Sequence, residues 1–182
     1  MPRQVRYNVA TTLDGFIASL DGSTRWIVDD ATIDFDALYA EFDMFIMGRK
    51  TYETLLSHST NPLARRPKES VIVVSKTMKS DDHPEVTIVG NDFLKCIREK
   101  REGVGKDIWL MGGGQLVGPC LHAGLVDYVE AAIMPAAIGQ GIPMISSSQL
   151  SVGGSYRLEL EQVKKLEGTG ILMTRYRVIS DI

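Results

Sequence analysis

Ile108-Trp109-Leu110-Met111-Gly112-Gly113-Gly114-Gln115-Leu116-Val117 is the stretch on which the reading of this chain turns. Four apolar residues, three glycines and a renewed apolar pattern predict a buried strand that bends sharply into a helix. Glycine has no Cβ, so the backbone turns tightly there and a ligand can approach it closely. Amides at a helix start point outward and favour negative charge. Such a junction suits a phosphorylated ligand such as a dinucleotide. Glycines also occur at strand–helix turns for steric reasons alone, so the stretch takes its meaning from the rest of the chain.

Two further strand ends carry related chemistry. Met44-Phe45-Ile46-Met47 is continuously apolar, the signature of a strand buried on both faces, and it runs into Gly48-Arg49-Lys50-Thr51, where a helix begins. Cations at a helix start oppose the macrodipole. Unless they are plain surface charges, Arg49 and Lys50 therefore ask for an anionic partner, beside the Thr51 hydroxyl. Ser70 to Val74 forms another apolar strand and ends at Ser75-Lys76. That hydroxyl and ammonium suit the extra ribose phosphate of NADPH, although Ser-Lys is also a common way to leave a strand. Ligands bind beyond the carboxyl ends of strands in parallel sheets. Gly48, Ser75 and Gly112 are thus expected to converge on one crevice.

The remaining segments supply the frame. Gln4 to Ala10 reads as the first strand, followed by two Asp-Gly turns at Asp14-Gly15 and Asp21-Gly22. This region is either a hairpin and surface loop or a loop lying across a cofactor. Trp26 is a core anchor or the wall of a pocket. A helix is predicted over Asp30 to Phe42. Asp34 and Asp36 lie in its first turns, where carboxylates complement the helix end and where a buried one would donate a proton. A strand over Val86 to Val89 and a charged helix over Phe93 to Arg101 follow. A helix from Leu116 to Leu121 is expected to break at Gly118-Pro119 and stop at Gly124. Val126 to Met134 is a long strand and Pro135 to Pro143 an irregular excursion. Tyr156 to Glu161 and Ile171 to Val178 pair around Gly168-Thr169-Gly170. The sum predicts one domain over residues 1–182, an α/β three-layer fold whose mostly parallel central sheet ends in antiparallel C-terminal strands.

Composition removes several function classes. The 182 residues carry a net charge of −3, which makes no electrostatic case for nucleic acid. No apolar run approaches the roughly 20 residues of a membrane helix, and no signal peptide is recognisable. Cys96, Cys120 and the three histidines complete no metal-ligand spacing. A metal-free cytoplasmic protein is the expectation.

Thr12-Leu13-Asp14-Gly15-Phe16-Ile17-Ala18, Met47-Gly48-Arg49-Lys50-Thr51-Tyr52-Glu53, Val74-Ser75-Lys76 and Met111-Gly112-Gly113-Gly114 stand in the order and spacing of the dihydrofolate reductase-like superfamily. Leu125-Val126-Asp127 with Met134-Pro135 and Gly139-Gln140-Gly141-Ile142-Pro143 resembles more closely its riboflavin-biosynthesis reductase branch. The resemblance spans nearly the whole chain and implies an NADPH-dependent small-molecule reductase that transfers hydride to a C=N or C=O carbon. By that resemblance, Arg49, Lys50 and Thr51 next to Gly48 would hold phosphates, and Ser75 and Lys76 the 2′-phosphate. Met111, Gly112, Gly113, Gly114, Gln115, Leu116 and Val117 would line the pyrophosphate and nicotinamide side, with Gly112-Gly113 joined by a cis peptide. Ala10 and the loop carrying Asp14 and Ile17 would border the nicotinamide. Asp14, Trp26, Tyr128 and Glu130 would face substrate: in this branch an acidic residue commonly follows the aspartate equivalent to Asp127 and binds substrate, Tyr128 stands at that place here, and Glu130 is the next carboxylate on the same face of the strand. Asp34 or Asp36 would assist protonation, without aligning cleanly. Alternatives on the same scaffold are a folate, pterin or imine reductase and a non-catalytic NADPH-binding module. Relatives of this branch imply a homodimer.

Overall fold

A computed structural model describes residues 2–58, 60–146 and 155–179. Apolar runs that the sequence marks as buried form the centre of an eight-stranded sheet. Its strands are β1 (Val5–Thr12), β3 (Phe42–Gly48), β4 (Val71–Val74), β5 (Thr87–Val89), β6 (Asp107–Gly112), β7 (Tyr128–Met134), β9 (Arg157–Lys165) and β10 (Leu172–Ile179). They lie in the order β5-β4-β3-β6-β1-β7-β10-β9. All neighbours pair in parallel up to β7, and β10 is antiparallel to both β7 and β9. Two short strands, β2 (Phe16–Ala18) and β8 (Ile142–Pro143), form a separate antiparallel pair.

Side-chain alternation sends the two faces of the sheet into two cores. Val5, Tyr7, Ile46, Ile108 and Leu110 pack beneath α3 (Phe93–Glu102) and α4 (Gly114–His122). Phe45, Met47, Val73 and Trp109 pack on the other face against Tyr39 of α1 (Phe35–Ala40) and Tyr52 of α2 (Arg49–Ser57). A third cluster joins Met134, Leu166 and Ile171 to Ala10, Trp26, Ile33 and Ala132. Each fully buried side chain of this size contributes roughly 1.5–3 kcal/mol relative to exposure.

Two expectations are corrected. The helix predicted from Asp30 covers only Phe35–Ala40, because the Asp30 carboxylate accepts from the Thr32 amide at 2.9 Å and closes a local turn instead. Asp34 then takes the N-cap position, accepting from Ala37 N at 2.9 Å, and Phe42 already belongs to β3. The α4 helix runs through Pro119 rather than breaking there. The carbonyl that loses its amide partner is that of Gln115, an exposed residue. The stop at Gly124 holds: its φ is +63°, and Leu125 N and Gly124 N return to Cys120 O and Leu121 O, a Schellman closure. Among the described residues no helix is long and apolar enough to cross a membrane, and no group of His, Cys, Asp or Glu is placed to hold a metal.

Candidate functional site

The sheet is split at its centre. β1 pairs with β6 only through Val5, Arg6 and Tyr7 against Ile108, Trp109 and Leu110. Beyond this point β1 stays with β7 as far as Thr12, while β6 stays with β3 as far as Gly112. Trp109 Nε1 donates to Asn8 O at 3.0 Å and closes the base of the gap. Past Asn8, main-chain groups that face the gap have no strand to bond, and polar backbone of this kind is satisfied by a ligand or by water. Half-buried Ala10 stands on one rim and the glycine triplet on the other.

The predicted strand ends meet on this gap. Met47 is in register with Gly112 and Gly48 with Val74, so the ends of β3, β4 and β6 are neighbours. A Cβ on Gly48 would lie 3.7 Å from Gly113 N, and one on Gly113 would lie 3.8 Å from Ile17 Cδ1. Gly112 and Gly113 are joined by a cis peptide. The helix starts behind Gly48 and Gly113 receive no side-chain cap, which leaves the first amides of α2 and α4 for another acceptor. Leu116 and Val117 are buried in the core, and their amides already turn back to Gly113 O at 2.9 and 3.2 Å. The amides at this helix start that do not turn back to Gly113 O are those of Gly114 and Gln115.

Side chains extend the cationic rim. Arg49 Nη1 donates to Thr77 Oγ1 at 3.0 Å while its Nε pairs with Glu53 at 2.6 Å. The Ser75 hydroxyl accepts from the amides of Thr77 and Met78 at 3.2 and 3.1 Å. The first turn of α2 is thus tied to the turn after β4, and exposed Lys50 and Lys76 flank that tie, with Thr51 half-buried. Thr77 was missed by sequence reasoning; its only signal was a second hydroxyl two residues after Ser75.

Other predicted residues serve the scaffold. The Asp14 carboxylate accepts from the amides of Ile138 and Gly139 at 3.1 and 2.7 Å, clipping the 135–141 excursion to the turn after β1. The Thr12 hydroxyl, followed by those amides, holds its carboxyl below the usual range. Ile17 of β2 therefore lies over the glycine triplet. Trp26 is half-buried on the cluster of Met134, Leu166 and Ile171, where Ala10, Ile33 and Ala132 also pack, and its buried Nε1 has no acceptor among the described residues. Asp34 and Asp36 are exposed, the first engaged as the helix cap.

Tyr128 and Glu130 are not brought to the crevice. Tyr128 opens β7, six residues before Met134, and so stands about 20 Å from the strand's carboxyl end. Its ring lies under the Arg175 guanidinium at 4.1 Å. Glu130 is buried and accepts from Arg6 Nε and Nη2 at 3.0 Å each and from Asn8 Nδ2 at 2.9 Å, with Arg175 Nη1 at 3.3 Å. This network locks the start of the sheet and leaves little of the carboxylate for a substrate.

The profile of the RibD C-terminal domain family matches residues 3–172. YyaP of Bacillus subtilis (strain 168) is 26% identical over 151 residues, 78% of this chain and 80% of YyaP. A crystal structure described as a putative riboflavin biosynthesis protein from Shewanella sp. PV-4 superposes with a TM-score of 0.75 at 24% identity, covering 99% of this chain and 100% of the other. Dihydrofolate reductase from Enterococcus faecalis, complexed with NADP(H), shares the fold at a TM-score of 0.61 and 12% identity, over 96% and 94% of the two chains. The match over nearly the full length makes the chain a member of the RibD C-terminal domain family, with a fold like that of dihydrofolate reductase.

Proposed function

We propose that the protein is an NADPH-dependent reductase of a C=N or C=O bond in a small cytoplasmic metabolite, as in 5-amino-6-(5-phosphoribosylamino)uracil reductases, acting as a homodimer. The observation that carries this reading is the split between β1 and β6, onto which three glycine- or serine-bearing strand ends open. The uncapped helix starts and the glycine rim fit a pyrophosphate, which needs close main-chain approach. Arg49, Lys50 and Thr51 would bind the phosphates, and Ser75, Lys76 and Thr77 the 2′-phosphate. Ala10 and Ile17 would border the nicotinamide. NADPH, when bound, supplies the hydride.

The chain's own contribution is placement and exclusion of water. Ala10, Trp26, Ile33 and Ala132 pack on Met134, Leu166 and Ile171, and this apolar cluster would help keep a reacting carbon dry beside the rim at Ala10. Asp34 follows Ile33 directly and Asp36 lies two residues further on; both are exposed, and they are the candidates to pass a proton. Unchanged kcat in both Asp34→Asn and Asp36→Asn would remove them from the mechanism. Calorimetry tests the reading itself. NADPH should bind at micromolar levels, Arg49→Ala should weaken it about tenfold, and Lys76→Ala should narrow the preference for NADPH over NADH. No heat at millimolar NADPH, or an unaltered preference in Lys76→Ala, refutes these assignments.

A further inference from the structure

Resting on the reductase reading of the crevice, we infer that Tyr7 is a positioning residue that seats residues 142–146 against the glycine triplet and so shapes the nicotinamide half of the cofactor site. Tyr7 is the last residue of β1 to pair with β6, opposite Leu110, before the sheet parts. It is fully buried, and its ring lies 3.8 Å from where a Gly112 Cβ would stand. Its hydroxyl donates to Met144 O at 2.7 Å, one residue past β8. Among the described residues no other side chain hydrogen-bonds to residues 142–146. Burial raises the phenol above its ordinary range, which keeps it protonated and able to donate at neutral pH.

The bonded segment packs on the next residues of the same triplet. Met144 O and C lie 3.2 and 3.3 Å from the position of a Gly114 Cβ, and Ser146 N donates to Gly114 O at 3.1 Å. Met144 N donates to Gly15 O at 2.9 Å and β8 pairs with β2, so the turn after β1 travels with the segment. On β2, Ile17 Cδ1 lies 3.8 Å from the position of a Gly113 Cβ. One side chain therefore lies against Gly112 and, through its hydroxyl, holds the pair of strands that packs on Gly113 and Gly114. The Ser75, Lys76 and Thr77 end is built on the turn after β4 and shares none of these bonds. Removing the hydroxyl orphans Met144 O and shifts the seating of the segment about tenfold toward release. NADPH then binds only the seated fraction, while a ligand confined to the 2′-phosphate end is indifferent to it.

Tyr7→Phe keeps the ring and removes the donor. Calorimetry with NADPH and with adenosine 2′,5′-bisphosphate, which carries the 2′-phosphate but no nicotinamide half, reads the effect. NADPH should bind about fivefold more weakly, and the bisphosphate within about twofold of the parent. Amide exchange at Met144 and Ser146 in the ligand-free protein should quicken about tenfold. Val5→Ala is the comparator: it opens a cavity in the same core and touches none of these bonds, so it should lower Tm and leave the ratio of the two affinities unchanged. Equal weakening of both probes marks a general loss of structure and overturns the inference, as does NADPH affinity within about twofold of the parent. If the parent binds neither probe, the reductase reading fails instead. Amide exchange then decides alone, and unchanged rates at Met144 and Ser146 overturn the role given to Tyr7.

Discussion

Gly114→Ala reverses the usual sign of its substitution, and the reason is geometric. Alanine is ordinarily favoured over glycine in a helix by up to about 1 kcal/mol, part of it through the unfolded chain. Gly114 opens α4, so that gain is available in principle. A Cβ there, however, would fall well inside contact distance of Pro143 O and lie 3.2 and 3.3 Å from Met144 O and C. These are backbone atoms held in place: Met144 N donates to Gly15 O at 2.9 Å and Ser146 N to Gly114 O at 3.1 Å. The added methyl must push β8 away from the glycine rim. Overpacking of this kind costs about 1–3 kcal/mol, which exceeds the propensity gain. The expected net loss of about 1–2 kcal/mol lowers Tm by roughly 2–8 °C for a chain of this size. Urea unfolding measures it, and NADPH affinity should fall several-fold because β8 and β2 lie against the glycine rim proposed to hold the cofactor. Gly168→Ala is the control, with nothing within 4 Å of its Cβ position, and should be neutral or slightly stabilising. A Gly114→Ala protein as stable as the parent refutes the close-approach argument.

The buried ion network makes a separate prediction. Arg6 and Glu130 are only 5% and 7% exposed, and Arg6 also pairs with Glu41 at 2.6 Å and Asp107 at 3.3 Å, so Glu130→Gln weakens the compensation of the guanidinium without removing it and should cost about 1.5–3 kcal/mol in urea unfolding, with NADPH affinity unchanged in the folded fraction. Retained stability would place that cation elsewhere. For Asp14, the folded carboxyl is held below its unfolded value, so its contribution is complete above the ordinary carboxylate range and is lost as pH falls through the lower folded value. Amide exchange at Ile138 and Gly139 should accelerate there ahead of the core strands; parallel loss across all strands would count against the clip. Burial pushes the Cys120 thiol up to about 12, and raises that of half-buried Cys96 as well. Iodoacetamide should label Cys96 first in the native protein, and mass spectrometry of Cys120 labelling at equal rate would contradict the packing of α4.

Local chemistry was legible from the chain, and non-local chemistry was not. The strands ending at Gly48, Ser75 and Gly112 announced themselves because continuous apolar runs broken by glycine or a hydroxyl admit few other structures. The antiparallel closing strands followed from alternation around Gly168 and Gly170. The shortening of the first helix was encoded in Asp30 and Thr32, whose side-chain turn outcompeted the apolar spacing of Ile33, Ala37 and Leu38. The parting of β1 from β6 was beyond reach, since nothing in Asn8 or Met111 states which strand each will abandon. Glu130 misled for a related reason: its charge suggests a ligand, but Arg6, far away in sequence, claims it first.

The rim of the split sheet is largely main chain, and main chain is common to all amino acids. A site assembled from carbonyls, amides and absent side chains leaves few positions under chemical obligation: the glycines that must stay bare and the cations proposed to meet phosphate. Sequences can therefore drift to the 12% identity that separates this chain from a folate enzyme and still keep the same fold. What diverges freely is the segment laid over the top, and that is where selectivity among members of such a family is free to change.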